Sequence, residues 1–197
     1  MSDGYKFIER DGPGPLVFAF HGTGGDERQL FSLAGDLAPD AWVIAPRGDV
    51  SEAGAARFFA RKTEGVYDMD DLARAVEKLA GFVEARRVAA GERQSIAIGY
   101  SNGANIIAAT AMAHPQSFET MVLMHPLIPW APEPSPGLAG RRFLITAGRR
   151  DPICPAPETE RLAAYLEAQG ADVTLTWHDG GHEVREDEIA AARAFLE

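Results

Sequence analysis

Short apolar runs alternate with longer segments of helical periodicity along this chain, and this alternation limits its fold more than any other feature. A short apolar run bounded by Gly or Pro is typical of a buried strand, and strands that alternate with helices form parallel sheets. The sequence therefore predicts an α/β fold, a mostly parallel twisted sheet with helices on both faces. The predicted strands are residues 16–20, 42–45, 95–98, 121–124, 142–146 and 173–177.

The predicted helices lie between these strands. The clearest begins near Asp68, a suitable N-cap, and repeats apolar residues at helical spacing through Val83. Residues 47–67 and 126–140 show no regular periodicity, and long loops in a compact α/β domain often carry function. The predicted helices are residues 26–37, 68–90, 102–113, 157–169 and 185–196.

Length and charge limit the classes of protein to consider. With 197 residues the chain suits one domain, which we expect to span residues 1–197. A formal net charge of −10 argues against binding to nucleic acid or to anionic membranes. Cys154 is the only cysteine, and the N-terminal residues lack a signal-peptide pattern. We expect a cytoplasmic protein without cofactor or metal, and a homodimer and a monomer both remain open.

The strongest chemical signal is Gly99-Tyr100-Ser101-Asn102-Gly103, between a predicted strand and a predicted helix. In a G-x-S-x-G turn, the two glycines prevent collisions where the strand turns sharply into the helix. The turn holds the serine hydroxyl at the carboxyl edge of the sheet, beside the backbone N–H groups that begin the helix. A Gly-rich turn without chemistry is the alternative, which the flanking strand and helix disfavour. Ser101 is the candidate nucleophile.

A serine hydroxyl needs a general base, and chain order indicates which residues supply it. In this architecture the acid follows the second strand after the nucleophile strand, and the base follows the last strand. Asp151 and His182 occupy those places, although Asp151 by itself would also suit an ordinary turn. His178, near the end of the last strand, is the competing base. His125 lies at the functional edge and could line the pocket, but its place in the chain order is wrong for the base.

The second half of an oxyanion hole is expected in the loop after an early strand. Residues 21–26, His-Gly-Thr-Gly-Gly-Asp, follow the first predicted strand, and their glycines let the backbone approach a substrate oxygen. We expect the backbone N–H groups of Thr23 and Asn102 to bind the oxyanion. A phosphate-binding loop is the rival interpretation, and it fails because the P-loop lysine and spacing are missing.

These motifs resemble those of the phospholipase/carboxylesterase group of α/β-hydrolases over nearly the whole chain. The resemblance rests on FHGTGGDE at 20–27, PRG at 46–48, GYSNG at 99–103, AGRRDP at 147–152 and GGHE at 180–183. It implies a minimal α/β-hydrolase core without a large lid domain, a triad of Ser101, Asp151 and His182, and Thr23 and Asn102 as oxyanion donors.

Two details refine this resemblance. Residues 46–52, together with Arg57-Phe58-Phe59, resemble a bacterial subgroup of which some members are linked to hydroquinone or catechol stress. The acyl-protein thioesterases of the group carry Gln after the nucleophile, where this chain has Asn102. This difference leaves the backbone N–H in place and weakens the transfer of their long-chain substrates to this chain.

Together these features predict a serine carboxylesterase that hydrolyses short-chain acyl or aryl esters through an acyl-enzyme on Ser101. Lysophospholipid or acyl-thioester hydrolysis is the alternative. A non-catalytic ligand-binding protein is disfavoured by the unbroken triad, and a metal-dependent hydrolase by the absence of paired histidines at ligand spacing on one helix. We assign substrate selection to the irregular loops, where core packing is the competing role. The candidate substrate-binding residues are Phe58, Phe59, Leu127, Ile128, Trp130 and Ile153.

Overall fold

The computed structural model describes residues 4–91 and 93–197. Its strands, in chain order, are β1 (Phe7–Arg10), β2 (Leu16–Phe20), β3 (Trp42–Pro46), β4 (Val50–Glu52), β5 (Ala55–Arg57), β6 (Arg61–Thr63), β7 (Val66–Tyr67), β8 (Ser95–Tyr100), β9 (Thr120–Met124), β10 (Arg142–Gly148) and β11 (Asp172–His178). Its helices are α1 (Phe31–Leu37), α2 (Met69–Ala90), α3 (Asn102–Ala113), α4 (Ala156–Ala168) and α5 (Glu186–Leu196).

Seven strands form one sheet in the order β1-β3-β2-β8-β9-β10-β11. β1 runs antiparallel to β3, and the other neighbouring strands of this sheet are parallel. The predicted mostly parallel sheet with helices on both faces is confirmed. The strand order reverses beside β2. The chain first adds β3 on one side of β2 and then adds β8, β9, β10 and β11 on the other side.

Helices cover both faces of the sheet, and the strand sequences explain why. Along β2, Leu16, Phe18 and Phe20 join the core beneath α2, α3 and α4, while Val17 and Ala19 join the core beneath α1 and α5. Because successive side chains point to opposite faces, a strand covered on both sides must be apolar throughout. The unbroken apolar runs in the sequence are therefore the signature of this double layer.

The structure differs from the sequence predictions mainly in the first third of the chain. β1 was not predicted, since it is an edge strand with half of its residues exposed and no apolar run. The predicted helix 26–37 begins only at Phe31, because short turns precede it, in which Gln29 N–H donates to the carbonyl oxygen of Asp26 and Phe31 N–H to that of Arg28. Residues 47–67, predicted to be irregular, contain the two small hairpins β4-β5 and β6-β7.

The longest helix of the described residues, α2, carries charged side chains on its exposed face. Across residues 4–91 and 93–197, no helix combines the length and apolarity needed to cross a bilayer.

Candidate active site

Five parallel strands end at the same edge of the sheet, and the residue types that carry chemistry follow directly after them. Thr23 follows β2, Ser101 follows β8, His125 follows β9, Asp151 follows β10 and His182 follows β11. Neighbouring parallel strands place their carboxyl ends side by side, so the sheet topology brings these five residues together.

Ser101 lies in a strained turn between β8 and α3. Its φ of 52° and ψ of −116° are conformations that side-chain-bearing residues rarely adopt, and such strain concentrates at functional sites. A Cβ at Gly99 would lie 2.5 Å from Ile107 Cδ1, and one at Gly103 would lie 2.1 Å from the carbonyl oxygen of Phe20. The two glycines therefore let α3 begin in contact with the end of β2, as the motif predicted.

A chain of short hydrogen bonds links the serine to a buried carboxylate. His182 Nε2 lies 2.9 Å from Ser101 Oγ, and His182 Nδ1 lies 2.7 Å from Asp151 Oδ2. Because the carboxylate only accepts, Nδ1 carries the proton and Nε2 is free to accept from the serine hydroxyl. The Tyr100 hydroxyl donates to the carbonyl oxygen of His182 at 2.7 Å and steadies the loop that carries His182.

Asp151 is held as a carboxylate by the groups around it. Its Oδ1 accepts the backbone N–H groups of Ile153 at 2.8 Å and Cys154 at 3.0 Å. Burial alone would raise its pKa, but hydrogen bonds from His125, His182 and these two amides outweigh burial and hold the pKa of Asp151 well below its usual range. The residue therefore stays charged throughout the range in which histidine titrates.

The two predicted oxyanion donors are anchored by a neighbouring segment. Asn102 begins α3, and its side-chain Oδ1 accepts the backbone N–H of Phe58 at 2.8 Å. Thr23 Oγ1 accepts from Arg57 Nη1 at 2.6 Å, and the buried Arg57 also bonds the carbonyl oxygen of Phe59. Residues 57–59 thus tie the loop after β2 to the first turn of α3.

The ring of His21 also holds the loop after β2 in place through two hydrogen bonds. Its Nδ1 lies 2.7 Å from the carbonyl oxygen of Gly22, to which it donates, and its Nε2 accepts the N–H of Gly48 at 2.9 Å. This pattern requires a neutral ring, and burial lowers the pKa of His21, which favours the neutral form. The backbone beside Thr23 is therefore fixed before any ligand binds.

A cavity of about 250 Å³ opens over Ser101. Its walls combine apolar and charged side chains and are formed by Thr23, Arg57, Arg61, Glu64, Tyr67, Tyr100, Asn102, Asn105, Leu127, Ile153, Cys154 and His182. Salt bridges from Glu52 and Glu64 to Arg61 order the outer wall. The site is a small pocket of mixed polarity.

Two of the six candidate substrate-binding residues, Leu127 and Ile153, line this cavity. Phe58 and Phe59 are fully buried in the core, because they pack edge-on against Phe20 and Tyr67. Ile128 and Trp130 line a separate cavity of about 160 Å³, because the chain turns away from Ser101 after Leu127. None of these four residues lines the cavity over Ser101, and the burial of Phe58 and Phe59 fits the competing role, core packing.

Comparison with known proteins shows the family to which this chain belongs. The model of the Esterase family, described as "Putative esterase", matches residues 3–192. The chain belongs to the Esterase family. A Bacillus subtilis (strain 168) relative, "Putative hydrolase MhqD", is 38% identical over 182 residues, which are 91% of each chain.

Solved structures of similar proteins agree with this assignment. The Bacillus cereus carboxylesterase is 34% identical with a TM-score of 0.95, over 99% of this chain and 94% of its own. The protein Atu2452 of unknown function from Agrobacterium tumefaciens str. C58 is 51% identical with a TM-score of 0.95, over 100% of this chain and 98% of its own. This member of the Esterase family is therefore a carboxylesterase-type hydrolase with an α/β-hydrolase fold, and no large lid covers the edge in the part of the chain described.

Sequence reasoning missed the roles of three residues at this esterase site. Arg57 donates to Thr23, and His125 bonds Asp151. Glu188 forms salt bridges with His125 and His178. The sequence allowed His125 to line the pocket, whereas its side chain is fully buried. No local motif marks these residues, because each acts through a contact with a distant part of the chain.

Proposed function

We propose that this chain is a serine carboxylesterase in which Ser101, His182 and Asp151 act as nucleophile, general base and orienting acid. The observation that carries the proposal is the line of hydrogen bonds from Ser101 Oγ through His182 to Asp151, at 2.9 and 2.7 Å, at the floor of an open cavity. Nucleophile, base and orienting group within hydrogen-bond reach form the arrangement that activates a serine.

In the proposed reaction Ser101 Oγ attacks the ester carbonyl carbon while His182 Nε2 takes the hydroxyl proton. The carbonyl oxygen becomes an oxyanion, which the backbone N–H groups of Thr23 and Asn102 stabilise. His182 returns the proton to the leaving alcohol, and the acyl group remains on Ser101. A water then gives its proton to His182, attacks the acyl carbonyl and releases the carboxylic acid, with Asp151 stabilising the imidazolium in both halves.

The size of the cavity supports short substrates. At about 250 Å³ it lies below the ~300–1,000 Å³ of pockets for drug-sized ligands, which favours short acyl or aryl esters. Arg57, Arg61 and Glu64 place charged groups in the cavity wall, which disfavours a long acyl chain. A short acyl thioester fits the same space and is the alternative substrate.

A labelling and substrate-panel experiment tests this proposal. We expect a fluorophosphonate probe to modify Ser101, identified by peptide mass spectrometry. We expect kcat/KM for p-nitrophenyl esters to fall by about tenfold or more from butyrate to palmitate, because a chain longer than the cavity must displace its walls, and overpacking of this kind costs roughly 1–3 kcal/mol. Matched acyl thioesters measure the alternative. A rise in kcat/KM toward palmitate would contradict the short-chain assignment. If the probe does not label the protein and no ester is turned over, the esterase proposal is wrong.

The pH dependence gives a separate prediction. We expect kcat/KM to rise with pH across about 5 to 8, with the slope of a single proton, because His182 must be neutral to act as base. Asp151 adds no second proton in this range, since its pKa lies well below it. Initial rates with p-nitrophenyl acetate, corrected for spontaneous hydrolysis, measure the profile. A flat profile would exclude a histidine base.

A further inference from the structure

A second histidine shares the carboxylate that orients His182. His125 Nδ1 lies 2.8 Å from Asp151 Oδ2, the same oxygen that lies 2.7 Å from His182 Nδ1. The other nitrogen of this ring, His125 Nε2, lies 3.2 Å from Glu188 Oε1. The side chains of His125 and Asp151 are both 0% exposed, so water cannot replace either partner.

With Asp151 and Glu188 ionised, the geometry places a proton on each nitrogen of the His125 ring. An ionised carboxylate only accepts hydrogen bonds, and this ring faces one at either end. Burial lowers the pKa of His125, but the hydrogen bonds to Asp151 and Glu188 outweigh burial and raise it to about 9. Burial likewise raises the pKa of Glu188, yet hydrogen bonds from His125 and Thr146 lower it overall. The stable form is an imidazolium between two carboxylates.

We propose that His125 is a positioning residue: a buried imidazolium that shares Asp151 with the base and, by its charge, keeps His182 neutral down to a lower pH. This inference deepens the proposed function and rests on it. The ring centroids of His125 and His182 are 5.1 Å apart, and a like charge at such a distance disfavours a second cation.

The charge balance of the cluster shows what His125 contributes. In the resting site Asp151 and Glu188 carry two negative charges and His125 one positive charge, which leaves a net charge of −1. When His182 takes the proton of Ser101, the buried cluster becomes neutral. Without the charge of His125 the resting cluster would hold −2, which would favour protonation of His182 before any substrate arrived.

The titratable groups of every element packed around His125 fit this assignment. His178 Nδ1 accepts the N–H of Gly180 at 2.9 Å, so its single proton is on Nε2, which lies 3.2 Å from Glu188 Oε2. Cys154 donates to the carbonyl oxygen of His125, and burial raises the pKa of this thiol, which stays neutral. The groups that face His125 are Tyr100 from β8, Asp151 and Cys154 after β10, His178 and His182 at and after β11, and Glu188 from α5.

A metal ion is the competing occupant, because His125, His178 and Glu188 place their ligand atoms within 4.8 Å of one another. A metal on His178 Nε2 would require the ring proton on Nδ1. That proton would then point at the N–H of Gly180, 2.9 Å away, as a second donor. The hydrogen bonds therefore favour a protonated cluster over a metal centre.

The backbone conformation at His125 allows a substitution that removes the ring charge and keeps a hydrogen-bond donor. His125 has a φ of 53°, in the left-handed region that Asn tolerates well, and Asn Nδ2 reproduces the position of the ring Nδ1 donor. His125→Asn thus keeps a donor to Asp151 and removes the charge. Thr146→Val is the matched control, since it removes the hydroxyl that donates to Glu188 Oε1 at 2.5 Å and leaves His125 charged.

We expect the acidic limb of kcat/KM with p-nitrophenyl acetate to move to higher pH by about one unit in His125→Asn, a loss of about tenfold on that limb, with a plateau within a fewfold of wild type. Thr146→Val should leave the midpoint in place. An unmoved limb in His125→Asn, with a lowered Tm, would reduce His125 to a structural residue.

Nitrogen-15 NMR of the histidine rings tests the same inference without any ester. We expect both nitrogens of His125 to be protonated at about pH 7, and the His182 ring to titrate at higher pH in His125→Asn than in wild type. A neutral His125 ring, or one equivalent of bound zinc in the purified protein, would overturn the inference. Wild-type protein without esterase activity would instead refute the proposed function, and the wild-type spectrum still decides the charge of His125 if the variant does not fold.

Discussion

Replacing Ser101 by alanine is expected to abolish fluorophosphonate labelling and to lower kcat for a short ester by up to about 10⁶-fold. The substitution removes Oγ, the atom 2.9 Å from His182 Nε2, and so removes the covalent route altogether. The oxyanion donors remain, and in such sites they sustain roughly 10³–10⁴-fold catalysis over water. The measurement is steady-state kinetics with p-nitrophenyl acetate over a long time course.

Ser32→Ala is the matched control for this experiment, because it makes the same chemical change at an exposed position of α1. Its kinetics should equal those of wild type. The Tm of Ser101→Ala should stay within a few degrees of wild type, since alanine keeps the same strained backbone and loses one hydroxyl. Turnover of Ser101→Ala within tenfold of wild type would contradict a serine nucleophile, and chelator-sensitive turnover in that variant would indicate a metal-dependent hydrolase.

The interior of the fold could be predicted from the sequence because a doubly covered sheet makes its own pattern. Residues 16–20 are apolar at every position since both faces of β2 are buried, and such a run allows few other structures. The edge gives no such signal. Residues 7–10 pair with β3 through backbone atoms, and their side chains are mixed, with Glu9 and Arg10 exposed. Pairing of an edge strand depends on a partner that local sequence does not contain.

The candidate site likewise contains some residues that the sequence marks and others that it does not. Ser101 is marked by its local turn, and the structure brings Asp151 and His182 to hydrogen-bond distance of their partners, as chain order led us to expect. His178 lies at the end of β11, where its ring turns inward to Glu188, while the loop beyond it carries His182 back to Ser101. The sequence left His178 as the competing base and could not identify Glu188 as its partner.

His125 and Glu188 show why the rest of the candidate site could not be predicted from the sequence. They are 63 residues apart in the chain, yet the neighbouring ends of β9 and β10 and the start of α5 bring them within 3.2 Å. A histidine after a strand and a glutamate in the first turn of a helix are each ordinary features. Only the packed structure shows that His125 links Glu188 to Asp151 in one buried cluster.

Asp151→Asn is expected to lower kcat by about 10⁴-fold at every pH. If the amide nitrogen takes the place of Oδ2, it faces the N–H groups of His182 and His125 at 2.7 and 2.8 Å. If it takes the place of Oδ1, it faces the amides of Ile153 and Cys154 instead. Either orientation sets donors against donors, and the first turns His182 to the tautomer that cannot accept from Ser101.

The pH profile separates this variant from His125→Asn. A wrong tautomer persists at all pH values, so the rate of Asp151→Asn should stay low on the alkaline plateau, where His125→Asn recovers. Unpaired buried donors cost roughly 1–3 kcal/mol each, so Tm should also fall by several degrees. Asp179→Asn, whose side chain is 90% exposed in the same loop as His182, makes the matched control and should keep wild-type kinetics. An Asp151→Asn variant that keeps more than about a tenth of wild-type kcat would show that another group orients the base, since an orienting carboxylate in such triads accounts for about 10⁴-fold.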